Sequence, residues 1–205
     1  MTDGAITDPA ALRAHYGEPK ELARKKALAR LDRHCRDFIA RSPFLVIGSA
    51  DGQGTADVSP RGDHPGFVQV LDDRTLVIPD RPGNKRVDTL ANLLARPKVG
   101  LLFFIPGMNE TLRVNGTARI TTDSAVLEPL SFQGKPPLSA LVVRVEEAFL
   151  HCAKALLRAR LWDPATQIDR SLFPPLGRMI ADQVDGLDAE EAERLVQESI
   201  QQRLY

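Results

Sequence analysis

The chain has 205 residues, with 27 Lys and Arg set against 27 Asp and Glu, and it contains two cysteines. That length suits one domain with a core of its own, and the cancelling charges leave no bulk field to draw in nucleic acid or anionic lipid, so any basic function is local. Cys35 and Cys152 lie far apart outside any C-x-x-C pair, the polar start MTDGAITDP has no secretory pattern, and the longest apolar run, 99–105, is too short for a bilayer; a cytoplasmic protein with no membrane partner is expected.

In chain order, residues 8–41 read as helical. Asp8 precedes a first-turn proline, Pro9, and Leu28, Leu31, Cys35, Phe38 and Ile39 recur at a helical period between solvated arginines. From 42 to 150 the texture changes to short β-rich runs: FLVIGSA, ADVSP, FVQVLDDRTLVIP, KVGLLFFIP, ETLRVNGTARIT and SALVVRVEEAFL. Asp51-Gly52 and Asp72-Asp73 fall where hairpins need turn residues, which implies antiparallel neighbours. One helix, about 87–95, interrupts these runs. After Leu150 the chain reads as helical again through CAKALLRARLW, then over 176–183, and finally from Asp188, which forms a capping-box pattern with Glu191. About six antiparallel strands with helices at both ends predict an α+β fold built on a closed or half-closed barrel. The expected division is a single domain over 1–205, with an N-terminal helical appendage at 1–41, a barrel at 42–150 and a C-terminal helical segment at 151–205.

The segment 58–86 carries most of the chemistry. It places VSPRGD on one strand and follows a second strand, LVIPD, with RPGNKRVDTLANLLARP at the start of a helix. Arg61, Lys85 and Arg86 are then expected to converge with the helix's first amides on one small dianion, with Pro82-Gly83 supplying the turn and Asn84 the helix cap. Taken singly, each basic residue reads as a solvated face; their grouping around one turn is better explained by a phosphate. Neither a P-loop nor a G-x-G-x-x-G pattern is present. The four histidines are scattered away from metal-ligand spacings, so no metal is expected. His151-Cys152 is the one suggestive pair, although neighbouring residues on a strand face opposite ways.

These motifs resemble the pyridoxamine 5'-phosphate oxidase-like flavoproteins, whose FMN-binding split barrel has this order of elements. The resemblance rests on SPRGD, PDRPGNKR, NLLARPKVGLLF and ETLRVNGTARI, including the V-N-G-x-A pattern of 114–118, and covers roughly 40–125. It implies that Asn84, Lys85 and Arg86 grip the FMN phosphate, that Ser59, Arg61 and Gly62 line the flavin, and that Asp80 lies near the ring or ribityl chain. Thr111 stands where the oxidase has a cofactor-contacting glutamine. HCAKALLRARLW is similar to a motif of a predicted flavin-nucleotide-binding subgroup. Family homodimers bind FMN between protomers, which makes Lys154, Arg160 and Trp162 candidates to complete a partner's pocket; packing of Trp162 against Leu156, Leu157 and Leu161 is the plainer alternative. QESIQQRLY lacks the oxidase's Arg-x-His signature, so vitamin B6 oxidation is not implied. The resulting expectation is an FMN-dependent oxidoreductase of unidentified small-molecule substrate. Alternatives on the same barrel are a non-catalytic flavin or haem binding protein and an F420-dependent reductase.

Overall fold

A computed structural model describes residues 4–203 and 205. The first three residues of the polar start therefore lie outside the described residues. The 8–41 stretch comprises three helices, α1 (Pro9–Tyr16), α2 (Glu21–Lys25) and α3 (Arg33–Arg41). Asp8 caps α1 by accepting from the amides of Ala10 and Ala11, and Gly17, at φ 71°, ends it. Neither α1 nor α2 buries a residue. Helix α3 is the packing helix: Asp32 caps it through the Cys35 amide at 2.8 Å, and Cys35, Phe38 and Ile39 enter the core.

Leu28 departs from the expected helical face. Its amide and carbonyl pair with Ala148 at 3.0 and 2.7 Å, forming an isolated β-bridge, so sheet hydrogen bonding takes the backbone that a helix would have used.

The strands are β1 (Phe44–Ala50), β2 (Ala56–Gly62), β3 (Gln69–Val70), β4 (Thr75–Asp80), β5 (Lys98–Phe104), β6 (Thr111–Thr121) and β7 (Ser139–His151). They form one antiparallel sheet in the order β2-β1-β5-β6-β7-β4-β3. The seventh strand, relative to the expected six or so, is the two-residue β3. Both anticipated turns form: Asp51 accepts from the amides of Gln53 and Thr55, and Asp72 accepts from that of Arg74.

Strands β1 and β5 alternate, turning Leu45 and Ile47 and then Val99, Leu101 and Phe103 inward onto the core beneath α3. Strand β4 is apolar on both faces because each is covered. Leu76 and Ile78 join the main core, while Val77 packs with Leu127, Leu130, Ala140 and Val142 under α5 (Ser124–Leu127) and the turn after it. Burying each such side chain contributes about 1.5–3 kcal/mol against chain entropy.

A bulge at Glu146, where the register shifts between Asn115 and Gly116, bends β7 against β6, and a Cβ at Gly116 would run into the Arg144 carbonyl, which accounts for glycine in the V-N-G-x-A pattern. Helices α4 (Asp88–Ala95), α6 (Lys154–Ala159), α7 (Leu176–Ala181) and α8 (Ala189–Arg203) complete the α+β fold. Asp188 accepts from the amides of Glu190 and Glu191, whereas Glu191 turns to Arg194, so only half of the capping box forms. No helix among the described residues is long and apolar enough to cross a membrane.

Candidate functional site: a basic cleft between two strands and a helix start

Curling of the sheet brings the end of β2 near the end of β4, and the 81–87 loop continues from β4 into α4. A cleft of about 590 Å³ lies between them, within the range of roughly 300–1,000 Å³ usual for small-molecule sites. Ser59, Arg61, Gly62, Asp80, Asn84, Lys85 and Arg86 all line it. On β2, Asp57, Ser59 and Arg61 share the more sheltered face, as the period of two requires.

The cleft is locally basic on a chain with no net charge. Among the described residues, Arg61, Arg81, Lys85 and Arg86 line it together with two carboxylates, Asp80 and Asp88. Burial raises the Asp80 carboxyl above its ordinary value, and the Arg61 charge offsets part of that rise. Arg61 itself donates to the Pro60 carbonyl at 2.8 Å.

Asn84 is not the helix cap that the sequence suggests. Its side chain accepts from the Arg86 amide at 3.0 Å, closing a turn before the helix, and Val87 occupies the cap position without a side-chain hydrogen bond. The amides of Asp88, Thr89 and Leu90 therefore open α4 with no intrahelical acceptor and no side-chain substitute. Lys85 and Val87 both have positive φ, 62° and 53°. For a β-branched valine this is a genuine outlier costing about 1–3 kcal/mol, the kind of backbone strain that clusters at ligand clamps. Open amides, a basic pair and a strained loop together suit the chemistry of a phosphate dianion.

The other four candidates lie elsewhere. Thr111 is buried at the start of β6, paired with His151. Lys154 begins α6; Arg160, at φ 49°, forms an ion pair with Asp163 at 2.6 Å; Trp162 donates to the Met108 carbonyl at 2.6 Å. None of them lines the cleft within one protomer. Near Thr111, the Arg113 guanidinium sits 4.2 Å from the Phe149 ring and pairs with Glu147 at 2.9 Å. Burial, then the Arg113 and Lys26 charges, pushes the His151 imidazole below its ordinary pKa. Cys35 is buried, with its thiol raised to about 11 mainly by desolvation, whereas Cys152 is exposed.

The Asp63–Arg81 pair beside the cleft is not anticipated by the sequence. Arg81 Nε lies 2.6 Å from Asp63 Oδ2, and its Nη2 donates to the Leu130 carbonyl at 2.9 Å. The available signal was an acid closing the β2 motif and a base opening the turn after β4, but nothing in their spacing links the two.

A family-level comparison matches residues 31–152 to pyridoxamine 5'-phosphate oxidase. The chain belongs to the pyridoxamine 5'-phosphate oxidase family. No curated protein matches it. Solved structures similar to it include HupZ of Group A Streptococcus, at 19% identity over 58% of this chain and 92% of that one, with a TM-score of 0.48. A proposed pyridoxamine 5'-phosphate oxidase of Lactobacillus delbrueckii is 19% identical over 60% and 95%, with a TM-score of 0.48. An F420 reductase is 20% identical over 55% and 94%, with a TM-score of 0.43. Pyridoxamine 5'-phosphate oxidase-like proteins share a split barrel, which is the fold described above.

Proposed function

We propose that the protein binds FMN in the cleft between β2, β4 and α4, and that it is an oxidoreductase acting on a small molecule. The observation carrying this reading is the convergence of Lys85, Arg86, Arg61 and the uncapped start of α4 on one cavity. Lys85, Arg86 and the first-turn amides would take the phosphate, with Asn84 shaping the turn that presents them. Ser59, Arg61 and Gly62 would run along the flavin, and half-buried Asp80 would sit near the ring or ribityl chain. FMN, when bound, would supply hydride or electron transfer, while the protein orients it, excludes water from one face and sets the charge around it.

In this reading the protein is a homodimer, and Lys154, Arg160 and Trp162 meet the partner's cofactor. Their separation from the cleft within one protomer is compatible with that arrangement. The missing Arg-x-His signature argues against pyridoxamine phosphate as substrate and leaves the substrate class open.

Titration of the cofactor-free protein with FMN, riboflavin and F420, followed by NAD(P)H, tests the reading. Tight FMN binding with riboflavin much weaker, and reduction of the bound flavin, is the expected result. Preference for F420 would favour a reductase of that cofactor, and bound flavin that no donor reduces would favour a carrier.

A further inference from the structure

Tyr205, well outside the family-matched residues 31–152, returns to Asp63, the residue that follows the β2 wall of the cleft. Its hydroxyl donates to Asp63 Oδ1 at 2.9 Å, across 142 residues of sequence. The Asp63 side chain is fully buried and also receives Arg81 Nε at 2.6 Å and the His64 amide at 2.7 Å, with His64 Nδ1 at 2.8 Å. Burial by itself would raise this carboxyl; hydrogen bonds from Arg81, His64 and Tyr205 outweigh it and hold the pKa below the ordinary carboxylate value. The tyrosine ring is seated as firmly as its hydroxyl. It lies 4.5 Å from the Phe132 ring, which stacks in turn on His64 at 4.8 Å, and Lys135 Nζ approaches the Tyr205 carbonyl at 3.3 Å.

Asp63 directly follows the β2 segment that lines the cleft, and Arg81 opens the loop carrying Lys85 and Arg86. One buried carboxylate thus ties two walls of the cleft together. A smaller cavity of about 180 Å³ lies behind the loop, sharing Arg81, Pro82 and Leu138 with the main cleft, and Tyr205 and Phe132 line this rear chamber and not the cleft itself. Tyr205 therefore reaches the site only through Asp63 and the back of the loop.

We propose that Tyr205 is a positioning residue for the phosphate end of the cleft, holding the Asp63–Arg81 pair and through it the 81–87 loop that presents Lys85 and Arg86. The proposal rests on reading that end as a phosphate site. The strained backbone at Lys85 and Val87 makes an external brace necessary, because a loop with two unfavourable φ values relaxes unless its surroundings hold it.

The test uses the full chain carrying Tyr205→Phe, which keeps the ring against Phe132 and removes only the hydroxyl. In cofactor-free protein, amide exchange over 61–66 and 81–87 is expected to quicken while α3 and β5 remain unchanged. The FMN dissociation constant is expected to rise roughly three- to tenfold, with riboflavin binding unaffected because it lacks the phosphate. On an Asp63→Ala background the tyrosine substitution is expected to add nothing, since its path runs through that carboxylate.

Unchanged exchange over 81–87, equal weakening of FMN and riboflavin, or additive effects in the double variant would each overturn the proposal. Wild-type protein that binds no phosphate-bearing flavin would instead refute the phosphate site, and with it the purpose assigned to the brace. The exchange measurement would still decide whether Tyr205 holds the loop.

Discussion

Arg86 Nε lies 2.8 Å from Asp88 Oδ2, two residues further along the chain. The hydrogen bond and charge of Asp88 raise the guanidinium's pKa, and both residues line the cleft at the uncapped start of α4. A phosphate arriving there competes with Asp88 for Arg86 and is repelled by the same carboxylate. Asp88→Asn is therefore expected to tighten FMN binding several-fold, most visibly at low salt, by isothermal titration or flavin fluorescence. Unchanged or weaker binding would place the phosphate away from Arg86.

The basic pair itself gives a stronger effect. Lys85→Ala with Arg86→Ala is expected to weaken FMN by roughly a hundredfold while leaving riboflavin within about twofold, because charge-assisted contacts to phosphate are lost and the ring environment is untouched. Both side chains are exposed, so the thermal midpoint of cofactor-free protein should barely move.

Asp63 carries a pH signature. Its folded pKa lies below the ordinary carboxylate value, so its stabilisation is fully present above the unfolded pKa of about 4 and is lost as pH falls through the lower folded value. Asp63→Asn is expected to cost about 3 kcal/mol at pH 7, and the gap from wild type in urea unfolding should narrow below about pH 4. A gap constant with pH would mean that packing around the site, and not the ionised carboxylate, sets the cost.

Asp80 behaves in the opposite sense. Its folded pKa is raised by burial, so ionising it opposes the fold, and stability falls as pH climbs from the unfolded pKa through the folded one. Asp80→Asn should raise the melting temperature of cofactor-free protein at pH 7 and lose that advantage in acid. A lower melting temperature at pH 7 would show that the Arg61 charge outweighs desolvation.

Gly116→Ala tests the bulge. The added Cβ would meet the Arg144 carbonyl, a backbone atom that cannot swing aside, so a loss of about 3 kcal/mol or insoluble protein is expected. Wild-type stability would mean that β6 and β7 can separate locally without cost.

The elements most legible in the sequence were those fixed by short-range chemistry. Hairpins at Asp51-Gly52 and Asp72-Asp73 and the alternation of β1 and β5 follow from local pattern and turn residues, whereas the meeting of Ser59 and Arg61 with Lys85 and Arg86 depends on the curl that brings β2 to β4. What the pattern could not convey was long-range partnership. Leu28 matches a helical period by coincidence while its backbone pairs with Ala148, 120 residues later by their numbering. Asn84 has the chemistry of a helix cap but spends it on the Arg86 amide, leaving α4 open. Asp63, Arg81 and Tyr205 lay in plain view, yet their union across 142 residues depends on the closed fold. Thr111 and Trp162 likewise have partners that sequence spacing does not convey, as in the bond from Trp162 to the Met108 carbonyl across 54 residues.

The most direct measurement is the visible spectrum of protein purified without added cofactor, with mass analysis of whatever heat releases, run beside the Lys85→Ala/Arg86→Ala variant. Flavin absorption bands with FMN released from wild type, and colourless variant protein of unchanged fold, are the predicted result. Colourless wild-type protein that also fails to take up added FMN would contradict the account.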